Sequence, residues 1–301
     1  MLSLNVKYMT AFCAGWQHLF VDTNRIRLHC VTQGEGELVI LLHGFPEFWY
    51  SWRHQIPVLA RHFKVVVPDL RGYNDSDKPL SGYDLDTLSH DIKGLMKSLG
   101  YAKAHVVGHD WGGAIAWHLA QKFPQSIQRL AILNAPHPQR FMQEMMSNLD
   151  QLRRSWYVLA FQVPTLPEWL IRSNLQNFLK NMLQDQAIRK GAFTRKDTEI
   201  YQAALEKPGA LSSAIAHYRH LLSPQNWSRH LGQHLPVTVP TLVLWGDEDK
   251  LLSHRFTEGL EKMIAAPFLL KRIPQCGHWI QQEVPQTVNR ELLKFLRHSS
   301  T

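Results

Sequence analysis

The segment Val106-Val107-Gly108-His109-Asp110-Trp111-Gly112-Gly113-Ala114 decides the fold. An apolar run ends in a glycine-rich turn, and a helical pattern follows over Ile115–Phe123. That order reads as strand, tight turn, helix. Gly108 and Gly112 stand two residues before and two after Asp110. A strand that turns sharply into a helix brings those two positions together, so side chains there would clash. The frame is G-x-nucleophile-x-G, whose central residue is ordinarily Ser; here it is Asp. The turn pushes this side chain toward the sheet edge. Its backbone sits at the amino end of the helix, where free N–H groups and the helix dipole favour negative charge. The plainer alternative is a helix N-cap, a common use of Asp. A cap requires neither the glycine frame nor the partners found elsewhere in the chain.

Outward from this turn, short apolar runs bounded by turn residues recur at Leu38–Leu42, Val65–Val67, Ala104–Val107, Leu130–Leu133, Leu242–Trp245 and Phe268–Ile273. Such runs fit strands buried on both faces, as in a parallel sheet. Helical patterns lie between most of them, as at Leu88–Leu99. The alternation predicts an α/β fold: a mostly parallel central sheet flanked by helices. The rhythm breaks from His137 to His234, a stretch rich in Gln, Arg and Trp without a convincing buried strand. The expected organisation is a core domain of residues 1–136 and 235–301, with residues 137–234 inserted as a helical cap. Sites on such sheets lie at the carboxyl ends of the strands. A cap over that edge excludes water and shapes a pocket.

Composition narrows the function classes. The chain has 301 residues, 45% hydrophobic and 19% charged, enough for one large core plus an insertion. The net charge is +8, but Lys and Arg are scattered, with a mild excess over residues 153–196. Neither a basic patch nor a nucleic-acid-binding module is visible. The expectation is a solvated basic face and no nucleic acid, with anionic ligands or surfaces as the lesser alternative. Cys13, Cys30 and Cys276 are widely spaced, which argues against a zinc site or a disulfide framework and fits a cytoplasmic location. The opening stretch, residues 1–16, makes a poor signal peptide. No run approaches the roughly 18 apolar residues of a membrane span.

A carboxylate in the Asp110 slot is ionised at neutral pH, with a reference pKa near 3.9, and needs no activating base. Attack on an acyl carbonyl would give a high-energy anhydride. Attack on a saturated carbon bearing a leaving group gives an ordinary ester, which water can cleave at the Asp carbonyl. The slot therefore predicts substrates with an electrophilic sp3 carbon, namely epoxides or alkyl halides. The second step needs a base and an oxyanion site. His278 in "PQCGHWIQQEVP" follows the last strand, and Asp249 in "LVLWGDEDKL" follows the one before. Nucleophile, acid, then His is the matching chain order. His278 is expected to activate water, with Asp249 orienting its imidazole. Asp247, two residues earlier in the same turn, stays as the alternative acid; spacing favours Asp249. Asn134 follows the strand after the turn, but an amide cannot serve as the acid. The loop in "LLHGFPEFWYSWRHQIPVL" suits a second oxyanion donor, so the hole is assigned to the N–H groups of Phe45 and Trp111. Phe45–Pro46 fits a cis bond in a tight turn.

Taken in order, His43-Gly44-Phe45-Pro46, "DLRGYNDSDKP" at 69–79, "GHDWGG" and "CGHW" closely resemble the α/β-hydrolase-fold epoxide hydrolases. The resemblance runs from "FVDTNRIRLHCV" to "VNRELLKFL". It implies an enzyme that turns epoxides into vicinal diols through a covalent ester, with no cofactor and no metal. The partners it implies are a small-molecule epoxide and water, and the protein is expected as a monomer or homodimer. It also implies two cap tyrosines that bind the epoxide oxygen. Tyr157 in "SWYVLAFQVP" and Tyr218 in "AIAHYRHLL" fit that pair, with Tyr50 and Tyr73 ranked lower. Phe45, Pro46, Trp111, Tyr157 and Tyr218 are the expected substrate-binding residues. Two positions depart from the family pattern. Asn74 stands where Gly is usual and can adopt a left-handed conformation. Arg25 follows Asn24 where Gly would suit a hairpin, which points to a different turn type.

Two other functions compete. A haloalkane dehalogenase would share the first step, and Trp111 could give one halide donor, but Phe45 stands where the second donor is often Asn. A fluoroacetate-type dehalogenase would need arginines after the nucleophile, where Trp111 and Ala114 stand instead. A non-catalytic receptor on the same scaffold would be free to lose a catalytic group, and none is missing.

Overall fold

The computed structural model describes residues 15–222 and 235–297. Among them, eight strands form one sheet: β1 Gln17–Thr23, β2 Ile26–Gln33, β3 Leu38–Leu42, β4 Lys64–Pro68, β5 Ala104–His109, β6 Ile127–Leu133, β7 Thr241–Gly246 and β8 Phe268–Ile273. Their order is β1-β2-β4-β3-β5-β6-β7-β8. The first two strands pair antiparallel, as do β2 and β4, and every later pairing is parallel. β3 and β5 are buried along their whole length, as strands covered by helices on both faces must be. Helices Leu85–Ser98, Trp111–Lys122 and Pro285–Leu296 supply apolar faces to the core.

Two expectations change. β8 is not buried on both faces: Leu269 is 52% exposed and Leu270 36%. It lies at the sheet edge with β7 as its neighbour, so its apolar run outlasts its cover. The hairpin from β1 to β2 is also not of a different type. Thr23 pairs with Ile26, which leaves only Asn24 and Arg25 to reverse the chain, at φ 41° and 64°. Both central residues of a type I′ turn need positive φ. The strand register imposes that on Arg25, while the Asn24 amide anchors the turn by donating to Asp91 Oδ1 at 2.7 Å. Asn74 does take the left-handed region, at φ 42°.

Between β6 and β7 the described chain is helical, from Pro138–Ser147 through Ala210–Leu221, with no strand. The expected cap boundary at residue 234 lies outside the described residues, as does Cys13; Cys30 and Cys276 are buried free thiols. No described helix is long and apolar enough to cross a membrane.

The turn after β5 depends on its glycines. A Cβ on Gly108 would lie 2.3 Å from the Gly112 carbonyl oxygen, and one on Gly112 would lie 2.2 Å from that of Leu42. Both obstacles are backbone, so neither can swing away. Between them Asp110 is held at φ 50° and ψ −120°, a conformation L-residues rarely adopt. Gly112→Ala should therefore cost about 2–4 kcal/mol of stability, in the range of overpacked or strained core positions. Urea unfolding checks this: the midpoint should fall, and an unchanged midpoint would mean that the turn can relax.

Candidate active site

The carboxyl ends of the parallel strands bring five loops together. Gly44–Phe48 follows β3, Asp110 follows β5, Asn134 follows β6, Asp249 follows β7 and His278 follows β8. Asp110 immediately precedes helix Trp111–Lys122, but its side chain does not cap that helix. Its Oδ1 instead accepts the Phe45 N–H at 2.9 Å, and its Oδ2 lies 3.5 Å from His278 Nε2. The Phe45–Pro46 bond is cis. Gly44 makes room for this contact, since a Cβ there would lie 2.4 Å from Asp110 Oδ1.

His278 Nδ1 donates to Asp249 Oδ2 at 2.7 Å. The other Asp249 oxygen accepts the N–H groups of Leu251 and Leu252 at 2.8 and 2.9 Å. Asp247 turns away and pairs with Arg272, so the backbone brings Asp249 rather than Asp247 to the histidine. Asn134 is a partner that the sequence did not reveal. Its amide donates to Asp249 Oδ2 at 2.7 Å, and its own oxygen accepts the Gly246 N–H at 3.0 Å. A second buried support also went unseen. His109 Nε2 donates to the His278 carbonyl at 2.9 Å, and its Nδ1 meets Glu47 Oε2 at 3.0 Å. His109 ends a strand buried along its whole length, and nothing in the local sequence names its partner.

Electrostatics follow from this geometry. Burial alone would raise the Asp110 carboxyl, but the contact and charge of His278, with the Phe45 N–H, hold it below the ordinary range. For His278, burial opposes charge, yet Asp249 on one side and Asp110 on the other raise it to about 10. The resting pair is therefore a carboxylate beside an imidazolium. Tyr157 and Tyr218 are pushed well above their usual values, first by burial and then by the Asp110 charge. Both remain phenols able to donate a proton or hydrogen bond.

A cavity of about 70 Å³ opens beside Asp110. Trp111, Tyr157 and Tyr218 border it, with apolar walls from Phe141, Met142 and Leu252 among others. The two tyrosine rings meet edge to face, with centroids 5.9 Å apart. Phe45 and Pro46 do not border this cavity; the Phe45 ring packs against Tyr218 at 5.4 Å and Phe161 at 5.9 Å. Tyr50 donates to Asp197 at 3.0 Å, and Tyr73 is buried against His43; neither reaches the cavity. Among the described residues, His29, Asp69 and Asp75 form a group of potential metal ligands. The group lies outside this cavity. His29 and Asp69 are already bonded to each other, and Asp75 pairs with Lys207.

Comparisons with known proteins agree with this architecture. The model of the α/β-hydrolase fold family matches residues 37–285. The chain is 40% identical over 288 residues to epoxide hydrolase 4 of Mus musculus, covering 93% of this chain and 79% of that protein. It is 38% identical to the AB hydrolase superfamily protein YfhM of Bacillus subtilis, covering 93% and 97%. A crystal structure of Bacillus megaterium epoxide hydrolase in complex with an inhibitor superposes with a TM-score of 0.85 at 32% identity, covering 93% of this chain and all of that one. With an Asp–His–Asp cluster on the carboxyl edge of such a sheet, the chain belongs to the epoxide hydrolases of the α/β-hydrolase fold family.

Proposed function

We propose that the protein hydrolyses epoxides to vicinal diols through a covalent ester on Asp110. The observation that carries this reading is one carboxylate held between a backbone donor and an imidazolium, beside a small cavity bordered by two neutral tyrosines. Residues 137–234 act as the cap that carries the tyrosines, and residues 1–136 and 235–301 act as the core that carries the charges.

Tyr157 and Tyr218 hydrogen-bond the epoxide oxygen and stabilise the alkoxide as the ring opens. Oδ1 of Asp110 is held by Phe45 N–H, so Oδ2 forms the new C–O bond as the ring C–O bond breaks. Esterification removes the Asp110 charge, and with it part of what keeps His278 protonated. The proton that His278 gives up balances the one the alkoxide takes to become a hydroxyl. Neutral His278, oriented by Asp249, then accepts a proton from water as that water attacks the ester carbonyl. The N–H groups of Phe45 and Trp111 hold the oxyanion. Collapse releases the diol and restores the carboxylate. A halide leaving group would leave the tyrosine hydroxyls without a task and finds no side-chain donor at Phe45.

Four outcomes are expected. With styrene oxide and a bromoalkane as alternatives, the purified protein should form diol and release no halide. Asp110→Ala should abolish turnover, and His278→Gln should accumulate an adduct of protein plus epoxide mass; halide release, or no adduct by mass spectrometry, overturns the route. Tyr157→Phe and Tyr218→Phe should each lower kcat by roughly 10²-fold, the usual loss for one transition-state donor. Finally, removing the negative charge by Asp110→Asn should bring the His278 pKa down from about 10 toward its unperturbed value near 6.5. Titration of the His278 ring by NMR checks the sign. An unchanged value would mean that Asp249 alone sets the charge state.

A further inference from the structure

The helix pair that carries Tyr157 has a second face that the chemistry does not use. Helix Trp156–Ala160 and helix Leu166–Ser173 are joined by a tight turn in which Thr165 takes a left-handed conformation at φ 63°. The inner side is packed. Tyr157 and Val158 border the cavity, and Phe161 meets Tyr218 at 5.0 Å. Arg219 fastens the turn by donating to the carbonyls of Phe161 and Val163 and pairing with Glu168.

The outer side is apolar and bare. Trp156 is 67% exposed and Trp169 66%, and Leu159, Val163, Leu166 and Leu170 are exposed beside them. Trp156 and Leu159 lie three residues apart on the first helix, Val163 follows in the turn, and Leu166, Trp169 and Leu170 share one stripe of the second helix. Exposed apolar side chains are ordinary singly; a contiguous set with two tryptophans marks a contact surface. Its rim is basic. Arg153, near the end of the preceding helix Leu149–Arg154, and Arg172, three residues after Trp169 on its own helix, are both exposed. Neither forms an ion pair with a described residue, whereas the nearby acids Asp150 and Glu168 are taken by Arg154 and Arg219.

We infer that this outer face of the Trp156–Ser173 helix pair docks on the surface of a lipid bilayer containing anionic headgroups. Tryptophans and leucines would enter the boundary between headgroups and acyl chains, and Arg153 and Arg172 would meet the phosphates and carboxylates. Charge complementarity decides between this occupant and a second copy of the chain. In a self-complementary pairing two basic rims would share one interface, and the chain as a whole carries +8. No membrane span is needed, and the inference holds whatever reaction the site performs.

The test is co-sedimentation of the full chain with vesicles of phosphatidylcholine containing phosphatidylserine, against phosphatidylcholine alone. Binding is expected to the anionic vesicles, weakened by salt, with a blue shift of tryptophan emission. The double variant Trp156→Ser, Trp169→Ser should lower the partition at least about tenfold, as loss of two large apolar side chains implies. Arg153→Glu with Arg172→Glu should lower it by a similar factor on anionic vesicles only. Unchanged melting temperature and unchanged turnover of dissolved styrene oxide would show that both variants fold. No binding to either vesicle overturns the inference, as does binding that both variants retain. A dimer seen by analytical ultracentrifugation that the tryptophan variant abolishes, without vesicle binding, assigns the face to a second copy and overturns it equally.

Discussion

Everything at this site depends on keeping Asp110 ionised where water is scarce. An unpaired carboxylate moved into a protein interior costs several kcal/mol even after relaxation, or it takes up a proton instead. On the proposed route a protonated Asp110 could not act as the nucleophile. Three groups oppose that: the Phe45 N–H, the amino end of helix Trp111–Lys122, and the His278 imidazolium. Each comes from a different strand end, so the charge is stable only when β3, β5 and β8 are all in register. The strained backbone of Asp110 and the bare glycines around it serve the same purpose, because only this turn presents the carboxylate to all three at once.

On the proposed route the same arrangement times the base. While Asp110 is charged, His278 is caught between two carboxylates and holds a proton it cannot use as a base. Turning Asp110 into an ester removes one carboxylate and leaves the other. On that route His278 gains its capacity as a base once there is an ester for water to attack. On the same proposed route Tyr157 and Tyr218, kept as phenols first by burial and then by the Asp110 charge, donate to the ring oxygen as it gains charge.

Much of this was legible in the sequence, for identifiable reasons. β3 and β8 have the bounds their apolar runs predicted, and the other four runs lie inside observed strands, because a short apolar run bounded by turn residues marks a strand of such a sheet. Gly108 and Gly112 were legible because close backbone approach tolerates no Cβ. The exposure of β8 was not, since an apolar run looks the same at an edge as in the centre. The turn at Arg25 was not, because strand register overrode local preference. The ring of Phe45 and the apolar walls from Phe141, Met142 and Leu252 were not legible as pocket or packing, since which side an aromatic loop or a cap helix faces depends on residues far away in the chain.

Asn134 is the supporting residue least legible in the sequence, where it reads only as a position unable to supply the acid. In the fold it stands at the end of β6, at φ 40°, with its amide on the oxygen of Asp249 that also receives the His278 proton. Asp249 therefore has both oxygens occupied by donors: two backbone N–H groups on one, Asn134 and His278 on the other. Such a carboxylate is fixed in place and cannot rotate away from the histidine. A second carboxylate at position 134 would face Asp249 across less than 3 Å, and one of the two would have to bind a proton. The amide avoids that conflict while keeping the hydrogen bond. The site thus needs an acid at one of the two strand ends and a donor at the other, so the side chain that cannot be the acid is the one that fixes where the acid points.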